Sequence, residues 1–484
     1  MAKKGNSISG AMIWNLLERL GTQGAQLIVS IILARILAPE AYGILALITV
    51  FINLATVVVE TGFGSSVIQK KDITPRQIDV IFTLNLTVAL TLCGILWLVA
   101  PLIASFYSNY DRALLINVIR VYSFILPIGS LTSIQSAVVY RNMEFRKFFV
   151  VNIAVTCLSS MIGIAMALMN CGVWALIAQQ VSAKAILLVL LLFVVKWKPR
   201  LNFHFGQSGS MFRFGGNILL NRLLNMLYHQ ISSLVIGKAY NPDTLAYYTK
   251  GNTFPGMIAT NTDYALQKVM FSAYSKYQDN RQKVLEMMRK TIRLSTFVLS
   301  PLMFGMLACS ENFIRVVLTD KWLPAQIYMQ IFCLSYFLQP IGTTAAQALN
   351  GIGRSDITLK VGLITRLTGI ALVLAAIPLG VQYIALAVLA TSMVSATTYL
   401  FINKKVFRYR IGQQLKDLAE NVLPSATMAL ACLSVGYLLR SYSPMVALCA
   451  QVLAGIAWYV CCAIIFKNEN LKYALAKVKS LKKQ

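Results

Sequence analysis

Apolar stretches of about 20 residues recur from residue 12 to residue 466, each long enough to cross the roughly 30 Å hydrocarbon layer of a bilayer as an α-helix. Lipid offers no partner for a backbone N–H or C=O, so a spanning segment is either a helix, which bonds to itself, or a strand in a closed barrel. A barrel needs segments of about ten residues that alternate in polarity. The runs here are continuous and rich in Leu, Ile and Ala. The expected fold is therefore an all-α polytopic membrane protein, with no stretch left over for a soluble domain. Composition agrees: 57% of residues are hydrophobic and 13% charged, against about a quarter charged in ordinary soluble domains.

Hydropathy predicts fourteen spans. Six form a first half: 12–37, 42–61, 80–106, 113–137, 148–169 and 173–195. A basic connection over 196–213 separates them from 214–236, 253–273, 294–309, 327–348, 361–379 and 384–401. Two more follow at 422–439 and 445–466. The corresponding organisation is a lobe over 1–200, a second over 201–410, and a closing pair of spans with a basic tail over 411–484.

The net charge of +27 suggests nucleic acid until the basic residues are located. They lie between the spans. With a cytoplasmic N-terminus, every second connection is cytoplasmic, and these carry Lys70, Lys71, Arg76, Arg141, Arg146, Lys147, Lys196, Lys198, Arg200, Lys404, Lys405, Arg408 and Arg410. Roughly 31 of the 44 Lys and Arg fall on that side and about 7 on the other. Both termini are accordingly expected in the cytoplasm, which requires an even number of spans. The charge then reflects topology and attraction to anionic membrane lipid, with no role for nucleic acid. The nine cysteines sit almost entirely in apolar segments without paired spacing or nearby histidines, so neither disulfides nor a metal site is expected. Met-Ala-Lys-Lys at the N-terminus is not followed by a short apolar core and cleavage site, and the first span is expected to be retained.

An offset of 203 residues superimposes Arg19 on Arg222, Arg35 on Lys238, Pro39 on Pro242 and Glu40 on Asp243. Both copies run outward, so the two six-helix halves read as parallel repeats about an axis along the membrane normal.

The stretches RILAPEAYG (35–43), ETGFGSSVIQKKDIT (60–74), GVWALIAQQ (172–180), AYNPDTLAYYTKGNTFPG (239–256), ENFIRVVLTDKWLPA (311–325) and LNGIGRSDI (349–357) carry a family likeness through their order and spacing. To about residue 466 the chain resembles the Wzx-type polysaccharide flippases of the multidrug/oligosaccharidyl-lipid/polysaccharide exporter superfamily. That resemblance implies fourteen helices in two lobes in a bacterial inner membrane. It implies as substrate undecaprenyl-pyrophosphate-linked repeat units, loaded on the cytoplasmic side for lipopolysaccharide, capsule or exopolysaccharide assembly. Polysaccharide-assembly proteins are the implied partners, and no cofactor is implied.

A charge at mid-membrane costs about 2.5–3.5 kcal/mol even on lenient scales, so basic residues inside spans require a partner or a polar cavity. Arg19 and Arg222 are the main candidates, each about eight residues from the cytoplasmic start of its span and related by the repeat. Arginine grips phosphate oxygens in pairs and stays charged when partly desolvated, which suits a pyrophosphate headgroup. In related lipid flippases cavity arginines hold the pyrophosphate, and these two positions match that pattern. The alternative for Arg19 is a local pair with Glu18 or a side chain that snorkels to the interface. Lys268 and Asp263 share the eighth span and either line the same cavity or neutralise each other. Asn217, Asn221, Tyr264 and Gln267 are further candidates for the cavity wall. Glu60 and His229 are candidates for ion coupling, with a structural role as the alternative. Arg120 has no evident partner, and Lys184 and Arg366 are near enough to helix ends to reach headgroups.

No Gly-Lys-Ser or Gly-Lys-Thr follows the Gly-rich stretch at 351–369, which argues against ATP hydrolysis. Prolines 127, 255, 301, 340 and 378 fall in or near spans and are expected to kink helices. Two other functions are carried as alternatives. A cation-coupled small-molecule exporter would favour acidic cavity residues, whereas the intramembrane charges lean basic. A polysaccharide polymerase or ligase would need large extracytoplasmic loops, and the loops on that side are short.

Overall fold

The computed structural model describes residues 8–61, 74–141, 144–195, 200–202 and 209–465, apart from the side chains of some helical residues, among them Glu60, Asn217, Asn221 and 264–269. The described residues are helical nearly throughout. In chain order the helices are α1 (Ile8–Ile36), α2 (Pro39–Thr61), α3 (Pro75–Phe106), α4 (Arg112–Ser123), α5 (Ile125–Arg141), α6 (Phe145–Leu168), α7 (Val173–Val194) and α8 (Gly209–Ala239). They continue as α9 (Pro242–Lys276), α10 (Arg281–Val317), α11 (Gln326–Phe337), α12 (Gln339–Gly351), α13 (Ser355–Ala376), α14 (Val381–Phe407), α15 (Ile411–Leu438) and α16 (Pro444–Ile465). Short 3₁₀ turns at Asp320–Ala325 and Ile377–Leu379 complete the chain.

Each predicted span falls on a helix or a broken pair of helices. Among the described residues, ten segments are long and apolar enough to cross a membrane, with mean hydropathies from 1.4 to 2.3. Two predicted spans are interrupted. The fourth divides at Phe124 into α4 and α5, and the tenth divides at Leu338 into α11 and α12. Pro127 and Pro340 sit just after these breaks, where a missing N–H costs least. Pro255 and Pro301 instead lie inside the continuous helices α9 and α10. Pro378 belongs to the 3₁₀ turn after α13.

Helices also outrun their apolar cores. At about 1.5 Å per residue, the 37 residues of α10 reach roughly 55 Å, well beyond the hydrocarbon thickness. Its first turns carry Arg281, Lys283, Arg289, Lys290 and Arg293 and extend the helix into a polar environment.

Helix ends are written in local chemistry. Thr74 and Gln77 form a reciprocal capping box that opens α3, Asp111 accepts from the Ala113 and Leu114 amides at the start of α4, and Asn280 accepts from the Lys283 amide at the start of α10. Arg408 takes up the left-handed conformation (φ 57°) that ends α14. All nine cysteines are free.

The chain divides into two units, Met1–Ala246 and Tyr247–Gln484. In the first, α1 packs along α6, α6 along α7, and α8 along α2. In the second, α10 is the central element, packed by α11, α15 and α16. A buried cluster around Tyr274, Met288, Ile341, Leu349 and Tyr409 fills one part of this unit. Close approach is set by glycine at Gly251, where a Cβ would fall 2.7 Å from Tyr328 and 2.9 Å from the Ala325 carbonyl.

Candidate functional site

The positions matched by the 203-residue offset are helix-end positions. Arg35 and Lys238 lie in the last turns of α1 and α8, Pro39 and Pro242 open α2 and α9, and Glu40 and Asp243 are the acids of those first turns. Cations at a helix C-terminus and anions at an N-terminus complement the helix dipole, so both corners use the same electrostatics. Lys238 donates to the Phe106 carbonyl at the end of α3 and sits 4.3 Å from the Phe106 ring centroid. Asn109 holds the second corner by donating to the Lys238 and Tyr240 carbonyls at 3.4 and 3.2 Å. The corners touch each other: a Cβ on Gly43 would lie 1.8 Å from the Pro242 carbonyl oxygen.

From these corners the two arginines are in register. Arg19 and Arg222 each lie seventeen residues before the last residue of their helix, about 25 Å along the axis. Arg19 is half-buried on α1 and Arg222 is exposed on α8, where it makes no hydrogen bond or ion pair among the described residues. Among the described residues α1 packs chiefly on α6 and α8 on α2, and no extensive packing of α1 along α8 is found. Glu18 Oε1 accepts from Asn152 Nδ2 of α6 at 2.9 Å, and the neighbouring Arg19 guanidinium interacts electrostatically with the same carboxylate. One turn beyond Arg19, Thr22 Oγ1 and Gln23 Oε1 are buried without a hydrogen-bond partner, extending a polar strip on α1 that hydropathy alone did not single out.

Of the other predicted residues, His229 is exposed on α8 with its ring 5.5 Å from that of Tyr228. Asp263 is buried on α9, where its carboxylate accepts from the amide of Gln339 and, at 3.3 Å, from the Thr343 hydroxyl. The side chains of Glu60, Asn217, Asn221, Tyr264, Gln267 and Lys268 lie outside the described residues. Arg120 has its partner in Trp97 of α3: the guanidinium is 4.2 Å from the ring centroid, and Nε donates to the Trp97 carbonyl at 3.5 Å.

Sequence reasoning missed one charged cluster. Asp417 on α15 is fully buried and receives Arg289 Nε at 2.7 Å and Nη2 at 3.0 Å, Arg293 Nε at 2.9 Å, and the Tyr409 hydroxyl. Burial, followed by the bond to Asp417, holds the Tyr409 phenol well above its ordinary range. Asn421 continues the tie by donating to the Arg293 carbonyl and Thr296 hydroxyl. This network fastens the start of α15 to α10 and uses up its own charges, so it is a structural joint.

The chain is similar to curated and solved transporters along most of its length. It is 24% identical over 447 residues to the succinoglycan biosynthesis transport protein ExoT of Rhizobium meliloti, covering 92% of this chain and 89% of that one. It is 23% identical to the lipopolysaccharide biosynthesis protein WzxC of Escherichia coli over 74% of this chain and 73% of the relative. Its fold is that of the lipid II flippase MurJ in an inward closed conformation, with a TM-score of 0.73 at 15% identity, covering 94% of this chain and 99% of that structure. An inward-facing multidrug resistance MATE family transporter follows with a TM-score of 0.62 at 13% identity, covering 84% and 99%. The polysaccharide biosynthesis protein family matches residues 32–327, more than half of the sequence, and the chain belongs to that family.

Proposed function

We propose that this protein is a flippase that carries undecaprenyl-pyrophosphate-linked oligosaccharide repeat units from the cytoplasmic to the outer leaflet of a bacterial inner membrane. Membership of the polysaccharide biosynthesis protein family supports the substrate class, and the relatives named for succinoglycan and lipopolysaccharide biosynthesis point the same way. The observation that carries the mechanism is the common register of Arg19 and Arg222 on repeat-related helices, with Arg222 exposed and uncommitted among the described residues.

In this reading the two guanidiniums receive the pyrophosphate, whose charge is the part of the substrate that most resists leaving water. The glycan follows in a basic central cavity that opens alternately to the two sides. Neutral sugars are held loosely, and the polyprenyl chain stays in lipid. Fourteen spans with both termini cytoplasmic give the positive connections the side on which the anionic substrate is loaded.

The test is accumulation of lipid-linked repeat units in the cytoplasmic leaflet after the gene is deleted, with complementation by wild type and by Arg222→Ala. Accumulation relieved by wild type and not by a normally inserted Arg222→Ala protein is the expected result. Normal surface glycan in the Arg222→Ala strain removes the arginine clamp. Absence of accumulation in the deletion strain shifts the function to export of small molecules.

A further inference from the structure

Arg120 stands on an outer wall of the first unit. The large side chains around it on α3 and α4 that are exposed are apolar: Ile95, Leu98, Leu102, Val121 and Phe124. In a chain that spans a bilayer such a wall faces lipid, where a cation needs an anion or water beside it. The neighbouring helices supply no anion. α4, α5 and α7 contain no Asp or Glu, α3 has only Asp79 near its start, and the acids of α2, Glu40 and Glu60, stand at its two ends. Asp111 is nine residues from Arg120 and is engaged in capping α4.

Trp97 meets part of the need and fixes the geometry. The guanidinium lies 4.2 Å from its ring centroid, and Nε donates to its carbonyl at 3.5 Å. Nη1 and Nη2 make no hydrogen bond or ion pair among the described residues. Two parallel N–H donors on a held guanidinium are one half of a bidentate grip on an oxyanion. Asn117, at i−3 and one turn nearer the start of α4, is exposed and makes no side-chain hydrogen bond among the described residues, so its amide adds a further donor. Depth selects the oxyanion. α3 has 32 residues and is about 48 Å long, against roughly 30 Å of hydrocarbon. Trp97 is 22 residues after Pro75 and 9 before Phe106, so it stands about 10 Å past the helix midpoint, toward α4. A centred helix places that ring about 5 Å inside the hydrocarbon boundary, within the span of an extended arginine. The oxyanion that lipid itself brings to this depth is a headgroup phosphate.

We propose that Arg120 and Asn117, with Trp97 orienting the guanidinium, hold the phosphate of a lipid headgroup. In the orientation given by the basic connections this lipid lies in the outer leaflet. The site requires only that the chain spans a membrane; it does not rest on Arg19, Arg222 or the flippase reading. Two sources carry the same chemistry, a bilayer phospholipid and a polyprenyl phosphate.

The experiment uses the full chain, purified and delipidated in a neutral detergent. Thermal unfolding is followed while phosphatidylglycerol, undecaprenyl phosphate, diacylglycerol or inorganic phosphate is titrated. The expected result is a saturating rise of the melting temperature with a phosphate-bearing lipid, absent with diacylglycerol and with inorganic phosphate. A response to phosphatidylglycerol identifies a bilayer phospholipid as the occupant, and a response to undecaprenyl phosphate alone identifies a carrier lipid. Arg120→Gln, monodisperse on gel filtration, loses most of the rise, Arg120→Lys keeps part of it, and Asn117→Ala raises the lipid concentration at half-effect. If Arg120→Gln fails to fold, Arg120→Lys and Asn117→Ala carry the comparison through their half-effect concentrations. No response to either lipid overturns the proposal, as does an equal response to diacylglycerol or to inorganic phosphate. A full response in folded Arg120→Gln, or half-effect concentrations unchanged in both other variants, places the lipid elsewhere and overturns it too.

Discussion

Gly43 on α2 faces the backbone carbonyl of Pro242 so closely that a Cβ would sit 1.8 Å from the oxygen. The neighbour is main chain at the first residue of α9, which cannot rotate away as a flexible side chain would. Gly43→Ala therefore forces the two corners apart. Overpacking of this kind costs about 1–3 kcal/mol. The expected outcome is a lower melting temperature and weaker export, with Gly24→Ala, where a Cβ meets nothing within 4 Å, unchanged or slightly more stable. Equal melting temperatures for Gly43→Ala and wild type would show that the corner yields freely.

The α10–α15 joint predicts a different kind of loss. Asp417 is fully buried between Arg289 and Arg293, so Asp417→Asn keeps the shape and leaves two guanidiniums facing a neutral amide. Removal of one side of a buried ion pair costs about 3–5 kcal/mol. Glu420, 3.5 Å from Arg293 and partly exposed, is the control, and Glu420→Gln is expected to cost less than about 1 kcal/mol. Thermal unfolding of both variants in detergent checks the ranking. Similar losses at the two positions would mean that burial does not set the strength of this network.

If Arg19 and Arg222 act on one pyrophosphate, their effects are not additive. Arg19→Ala and Arg222→Ala each disable export, and the double variant is hardly worse than either, because a clamp with one arm has already lost its geometry. Lysine at either position restores charge without the planar fork and recovers only part of the rate. Lipid-linked intermediates extracted from the four strains measure this directly. Independent, multiplying losses would show two separate roles.

The repeated corner was legible in the sequence because it is local: Pro39 with Glu40 and Pro242 with Asp243 announce it twice. The starts of α3, α9 and α10 lie before the predicted spans, because hydropathy follows the apolar core and not the caps Thr74 and Asn280 or the polar first turns. The helix breaks were not legible either. Phe124 and Leu338 are ordinary apolar residues with helical backbone angles, so nothing in hydropathy marks them, and Pro127 and Pro340 read equally well as kinks in a continuous span. The partners of buried charges were beyond reach for another reason. Asp417 meets Arg289 across 128 positions and Asp263 meets Gln339 across 76, and a single sequence carries no signal of which distant residues are brought together. Arg120 was recognised as costly in lipid, while its partner Trp97, 23 residues away on the preceding helix, required the packing of α3 against α4.

Orientation is the expectation that the basic residues fix most directly. Lys404, Lys405, Arg408 and Arg410 flank the corner between α14 and α15, whereas the connection from α3 to α4 is short and carries no Lys or Arg from Tyr107 to Asp111. Positive connections stay in the cytoplasm because moving each Lys or Arg into the membrane costs about 2.5–3.5 kcal/mol. Alkaline phosphatase, which is active only outside the cytoplasm, is accordingly expected to work when fused after Asn109 and to be silent when fused after Arg410. A fluorescent protein at the C-terminus is expected to glow. Phosphatase activity after Arg410 would invert the chain in the membrane and put the Arg19 and Arg222 register on the wrong side for cytoplasmic loading.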